Sequence, residues 1–256
     1  MKKTVKFFVL AVMMTLCCQT MAQTRGSMFL GASFPLKDFA EFDGFNDFAL
    51  TKLGQTDAGA GIGFNVGLKW YFNVGVEGLG VMLSFDGFYN GPNSNLKDAY
   101  RNGEGTSSIF QNLNCDESSY TFTPKYINVP AMLGMNYIYH FNPNLGIYVE
   151  AGAGGNLHLI TDLQSVAKTQ SSIIKITQDY DKAFSFAYQV GAGIEVAKDL
   201  VVGCSFYDLG NAEVKGDKIV KITDSGEDGT TNAQTTYSTF GTIHPIMVLG
   251  RIGFRF

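Results

Sequence analysis

Hydrophobic and polar residues alternate along much of this chain with a period of two. In "LGIYVEAGAGGNLHL", Leu145, Ile147, Val149, Ala151, Ala153, Gly155 and Leu157 form one face, and Gly146, Tyr148, Glu150, Gly152, Gly154, Asn156 and His158 form the other. In "FSFAYQVGAGIEVA", Phe184, Phe186, Tyr188, Val190, Ala192, Ile194 and Val196 oppose Ser185, Ala187, Gln189, Gly191, Gly193 and Glu195. The last residues repeat the pattern, with Val248, Ile252, Phe254 and Phe256 alternating with Leu249, Arg251, Gly253 and Arg255. A period of two means strands with chemically opposite faces.

The spacing predicts eight strands, at roughly 26–35, 59–72, 79–90, 125–141, 145–158, 184–197, 200–209 and 244–256. Short turns at 73–78, 142–144 and 198–199 alternate with long polar loops at 36–58, 91–124, 159–183 and 210–243. The last of these carries "KGDKIVKITDSGEDGTTNAQTTYSTFGT", which is expected to extend its two strands as a hairpin. Period alone fits a soluble sandwich as well as a barrel. Two further features favour the barrel: the apolar faces are wide, and the opposite faces are Gly-rich with single charges. An even strand count with short turns at one end and long loops at the other is the pattern of an outer-membrane barrel. Closure leaves no unpaired main chain in hydrocarbon. The expectation is an all-β, membrane-spanning, antiparallel up-and-down barrel of eight strands, with short periplasmic turns and long extracellular loops.

The start of the chain agrees with this compartment. "MKKTVKFFVLAVMMTLCCQTMAQ" has a basic stretch, an apolar run from Phe7 to Cys18 and a small-residue site ending at Ala22. That is the layout of a secretory signal peptide, so residues 1–22 are expected to be removed and 23–256 to form the barrel domain. Removing Lys2, Lys3 and Lys6 leaves 16 Lys+Arg against 23 Asp+Glu, a formal charge of −7. No basic stripe marks a nucleic-acid partner. Cys115 and Cys204 remain, and a disulfide between them is neither required nor excluded by the pattern.

Aromatic residues collect at the short-turn end: Trp70, Phe72, Tyr137, Tyr139, Phe254 and Phe256. Rings of this kind favour the membrane–water interface, so these residues are read as a periplasmic girdle. By the same alternation Lys69, Asp86, Glu150, Glu195 and Arg251 point into the lumen. Buried charges need partners, and this set is read as a network across strands. A selectivity ring in a pore is the rival reading, weakened by the narrow interior of eight strands.

"YINVPAMLGMNYIY" (126–139), "GIYVEAGAGGNL" (146–157), "YQVGAGIEVAKDLVVGCSFYDLGNAEV" (188–214) and the ending "LGRIGFRF" resemble the PorT-type and OmpA-like outer-membrane β-barrel family. The resemblance implies location in a Gram-negative outer membrane, contact with outer-membrane lipid, and a terminal Phe256 read by the outer-membrane insertion machinery. It implies little about activity, because this architecture serves many functions. No peptidoglycan-binding domain of the kind that follows many OmpA-type barrels is expected, since the sequence stops at Phe256.

Catalytic chemistry is poorly supplied. Of the three histidines, His140 falls near the short-turn rim, while His158 and His244 fall at loop ends, with no serine beside either upper histidine in a recognisable motif. Neither has metal-ligand spacing, and the Gly-rich runs at 59–63 and 152–155 lie within strands rather than before helices. No catalytic, cofactor or metal residue is assigned. The loops are the remaining contact surface, and Phe39, Phe42, Phe45 and Phe48, spaced three apart among acids, are the candidate residues for an envelope partner. The function read from sequence is a structural or interaction role in the envelope, with a narrow porin-like conduit for small solutes as the alternative.

Overall fold

Thirteen strands make up nearly all the regular structure in the computed structural model, which describes residues 24–41, 58–101, 117–122, 125–168, 172–197, 199–224 and 231–256. The proposed signal segment 1–22, Phe42, Phe45, Phe48 and Cys115 lie outside the described residues. Among those that are described, no helix is long and apolar enough to cross a membrane.

Eight strands close a barrel: β1 (Thr24–Leu36), β2 (Ala60–Asn73), β3 (Leu79–Pro92), β5 (Tyr126–Asn142), β6 (Leu145–Ile160), β9 (Ala183–Val196), β10 (Leu200–Asp208) and β13 (Ile246–Arg255). Each pairs antiparallel with its neighbours around the ring, so the predicted up-and-down barrel is what forms. The last strand closes on the first, from Ser27 opposite Arg255 to Leu36 opposite Ile246. Phe256 then exchanges main-chain hydrogen bonds with Gly26, both at 2.9 Å, so the terminal residue is locked into the seam.

Asn side chains fold two of the short turns. The Asn73 carboxamide oxygen accepts from the Gly75 N–H at 2.8 Å, and that of Asn142 accepts from the Asn144 N–H at 2.9 Å. These are Asx turns, which reverse the chain without help from the barrel. Gly75 (φ 84°) and Gly78 (φ 76°) supply the left-handed conformation in the first turn.

The alternation decides which face is which. Outward positions stay exposed and apolar, as at Leu30, Phe64, Leu133, Phe186, Val190 and Ile252. Inward positions are buried, and small residues there make room for long ones. A Cβ on Gly203 would strike the Tyr148 hydroxyl, one on Gly253 the Phe29 ring, and one on Gly67 the Asp86 carboxylate. The interior is therefore filled rather than open, as the narrow bore of eight strands requires.

That filling is less polar than the sequence pattern implies. The loop end of the lumen holds Phe88, Tyr126, Met132, Tyr207, Met247 and Leu249 in one apolar cluster, with the Phe88 and Tyr207 rings edge-on at 5.0 Å. Phe39, on the short 3-10 turn Lys37–Phe39, packs edge-on against Tyr126 at 5.4 Å and is 1% exposed. This corrects its assignment to a loop contact surface. An aromatic ring at the barrel mouth gains more by covering the plug than by facing water.

The long loops also differ from expectation. β4 (Glu117–Phe122), β7 (Leu163–Lys168), β8 (Ser172–Gln178), β11 (Ala212–Asp224) and β12 (Thr231–Ile243) form a second sheet in the order β12-β11-β8-β7-β4. The β11–β12 pair is the hairpin expected from the last long loop. The other strands, and the helix α1 (Ser94–Arg101), arise where the sequence pattern gave only loop. The strands of this sheet continue the barrel strands that feed them, after only a few residues. The sheet therefore stands as a wall above β5, β6, β9, β10 and β13, and its two edges face the arc over β1, β2 and β3.

Candidate functional site

Glu150, projecting inward from β6, is the hub of the lumen. Its Oε1 accepts from Lys69 Nζ of β2 at 2.5 Å and from Arg251 Nη2 of β13. Its Oε2 faces the Tyr71 hydroxyl at 3.5 Å. Lys69 also donates to the Gln189 carboxamide oxygen at 3.4 Å. Asp86 of β3 accepts from the Tyr207 hydroxyl at 3.2 Å and from Asn65 Nδ2 at 3.4 Å. Arg251 Nη1 reaches the Tyr207 oxygen at 3.5 Å, so this tyrosine links the two acids. The Arg251 guanidinium also lies over the Phe29 ring, 4.7 Å from its centroid. Lys69, Asp86, Glu150 and Arg251 are all buried, and their formal charges cancel.

The fifth predicted residue does not join them. Glu195 sits nearer the short-turn end and pairs with Arg255, with His140 Nε2 at 3.5 Å from its other oxygen. Arg255 stacks on Tyr71, 5.2 Å from the ring centroid. The single predicted network is thus two, separated along the barrel axis. The alternation that placed Glu195 inside also places Arg255 inside, and that was the signal for its partner. Tyr71, Gln189 and Tyr207 share this parity, but their partners depend on register across a closed barrel. Glu150 and Arg251 are 101 residues apart in sequence.

Nearer the loop end, a second polar group interrupts the apolar plug. Asn156 Nδ2 donates to Asn128 Oδ1 at 3.2 Å, and His158 Nε2 lies 2.6 Å from Ser185 Oγ. No serine neighbours His158 along the chain. The register between β6 and β9 brings one there, since Asn156 faces Ser185. The arrangement is not that of an activated nucleophile. Ser185 donates to the Leu209 carbonyl, and the second ring nitrogen of His158 meets the Asn156 amide rather than a carboxylate. His244 has a separate partner, Asp208 Oδ1 at 2.8 Å, and Asp208 also accepts from the Tyr188 hydroxyl at 2.7 Å. Among the described residues, no three His, Cys, Asp or Glu side chains gather as a metal site. Cys204 is a free thiol on the outward face of β10.

The aromatic residues assigned to the short-turn end all lie on the outward face there. Tyr137, Tyr139, Phe254 and Phe256 are exposed, and Trp70 and Phe72 are half-buried among neighbours. Tyr139 meets Phe141 edge-on at 5.2 Å, and Trp70 meets Phe85 at 6.0 Å.

The extracellular wall has its own electrostatics. An open groove of about 730 Å³ is lined by Asp179, Asp181, Glu213, Lys215 and Asp217, among others. Burial first, then the charges of Asp162 and Asp217, hold the Asp179 carboxyl above its usual range. On the opposite face of β11, Lys218 is 5% exposed, and burial alone holds its ammonium below the usual lysine range.

Residues 8–238 match the model of a family described as "Outer membrane protein beta-barrel domain". No curated protein sequence matches the chain. Among solved structures, the chain is similar to Ail, the attachment invasion locus protein of Yersinia pestis, in complex with the heparin analogue sucrose octasulfate. The identity is 14%, with 91% of this chain and 99% of that one covered and a TM-score of 0.39. It is also similar to the outer membrane protein OprG of Pseudomonas aeruginosa, at 11% identity, 91% and 94% coverage and a TM-score of 0.38. A major outer membrane protein of Thermus thermophilus is similar at 10% identity, 91% and 100% coverage and a TM-score of 0.37.

Proposed function

This chain belongs to the outer membrane β-barrel protein family and is an integral protein of the outer membrane, and from that premise we propose a structural or interaction role in the envelope, exercised through the extracellular wall. The observation that carries the reading is the filled lumen. An ion cluster around Glu150 lies beneath an apolar plug of Phe88, Tyr207 and Met247, capped by Phe39. In this reading the buried charges hold the barrel together across its strands. They do not form a selectivity ring, since Lys69 and Arg251 are already neutralised by Glu150 and Asp86 together.

Within the family, the strands at 126–139 and 146–157 support placing the chain with the PorT-type and OmpA-like barrels. Residues 1–22 act as a cleaved signal peptide and 23–256 as the barrel domain. The aromatic end of β13 is the segment presented to the insertion machinery. Its outward Phe254 and Phe256 sit at the seam where the first and last strands must meet. The protein is not an enzyme in this account, as the His158–Ser185 pair lacks both an orienting acid and a free serine proton.

Purified protein in planar bilayers tests the reading against the conduit alternative. No resolved conductance steps are expected. Steps that persist across preparations would make the lumen a pathway and overturn the sealed-barrel role.

A further inference from the structure

Among the described residues, the β12 edge of the extracellular wall has no strand on its second side. β12 runs for 13 residues as TNAQTTYSTFGTI, with no charged residue and no proline. Its partner β11 carries Glu213, Lys215, Asp217, Lys218, Lys221 and Asp224, so the contrast lies within one hairpin. One side of β12 pairs with β11, from Ala212 opposite Ile243 to Thr223 opposite Thr231, and among the described strands no other pairs with it. Ala233, Gln234, Thr235, Thr236 and Ser238 are all exposed. Successive residues point to opposite faces, so both faces of the strand are open here. The ladder to β11 is irregular at Asn232, where one extra β12 residue intervenes, and from Ala233 onward the edge is regular, rich in β-branched residues and without lysine or proline, which makes it a template for another strand. Natural edges are ordinarily blunted by lysine and proline. The other edge of the wall, β4, is only six residues long and begins on Glu117.

We propose that β12 pairs edge to edge with β12 of a second copy of this chain held in an opposing membrane. The inference rests on the interaction role proposed above and names its partner. Charge favours the second copy, since two uncharged strands meet with no like charges opposed. Geometry fixes where that copy sits. Antiparallel pairing of identical strands requires a two-fold axis perpendicular to the sheet. The wall stands up from the barrel, so this axis lies in the membrane plane, and the partner is inverted. Two copies in one membrane are related instead by an axis along the membrane normal. Because barrel strands tilt by about 35–45°, that axis would leave the two β12 strands crossed rather than paired. The edge is therefore suited to joining two membranes and unsuited to lateral assembly within one.

The test uses the full barrel in phosphatidylcholine vesicles, with clustering read by turbidity. One variant carries Gln234→Lys with Thr236→Lys, and a second carries Gln234→Glu with Thr236→Glu. Vesicles of the unaltered protein should cluster, and each variant alone should lose clustering, because like charges then face one another. Mixing Lys-variant with Glu-variant vesicles should restore it. That rescue cannot come from misfolded protein, and the heat-dependent gel shift of each variant checks the barrel separately. Unaltered vesicles that stay dispersed, a Lys variant that clusters undiminished, or a mixture that stays dispersed would each overturn the proposal. Conductance of the same protein reports on the sealed lumen independently, so either reading can fail alone.

Discussion

Glu150 serves two cations at once, and this makes it the residue whose loss should cost most. Glu150→Gln removes the charge that Lys69 and Arg251 share, leaving both buried beside a neutral amide. Breaking a buried pair in this way costs about 3–5 kcal/mol. Urea unfolding of the barrel in neutral detergent should register that loss. Adding Lys69→Met to the variant should cost less than the two single changes summed, because one stranded cation is then gone. Lys218 gives the opposite case, a buried ammonium whose environment contributes only desolvation. Its folded-state pKa lies below the ordinary value of 10.5, so the protonated form favours the unfolded chain. This destabilisation is fully present below the depressed pKa and fades as pH rises through it toward the ordinary value. Lys218→Met should therefore make the extracellular wall more resistant to proteolysis at neutral pH, and the gain should shrink as pH is raised above the depressed value. Loss of resistance in that variant would show that the lysine stabilises the wall.

At the scale of elements, β9 states the face assignment most sharply. Val190 is half exposed on the outward face, and Gln189 beside it is buried against Lys69. Val190→Arg puts a charge at the lipid-facing midplane, at a cost of about 2–4 kcal/mol. Gln189→Glu adds an acid next to a buried lysine and should fold in much higher yield. Gln189→Arg is the poorer control, since it would crowd Lys69 and Arg251, with Glu195 already engaged by Arg255 at a different level. A reversed order of yields between Val190→Arg and Gln189→Glu would turn the strand inside out. The barrel strands were legible because their two faces differ in chemistry at every step, and the inward direction of Lys69, Glu150 and Arg251 followed from parity. Their partners were not legible, because contact across the lumen depends on closure and register. Of the outer sheet only the β11–β12 hairpin was legible, and β4, β7 and β8 were not. β12 shows no apolar alternation, and what makes it a strand is the ladder to β11. Phe39 was misread because spacing gives periodicity without saying what lies beneath the ring.

At the largest scale the described residues form a cylinder filled by its own side chains, with an apolar outer face and a polar wall above part of its rim. Each layer follows from the one below it. Eight strands leave a bore that side chains fill, filling requires the inward charges to pair, and sealing leaves the extracellular wall as the part open to partners. Site-directed spin labels test the central arrangement most directly. In a cysteine-free background, labels at Phe186, Val190 and Ile194 of β9 report the outward face, and one at Gln234 of β12 reports the wall. The first three should collide with oxygen dissolved in the bilayer and be shielded from a water-soluble nickel complex, and the label at Gln234 should show the reverse. Nickel access at Phe186, Val190 and Ile194 equal to that at Gln234 would contradict a lipid-facing apolar surface and, with it, the barrel as a membrane-spanning structure.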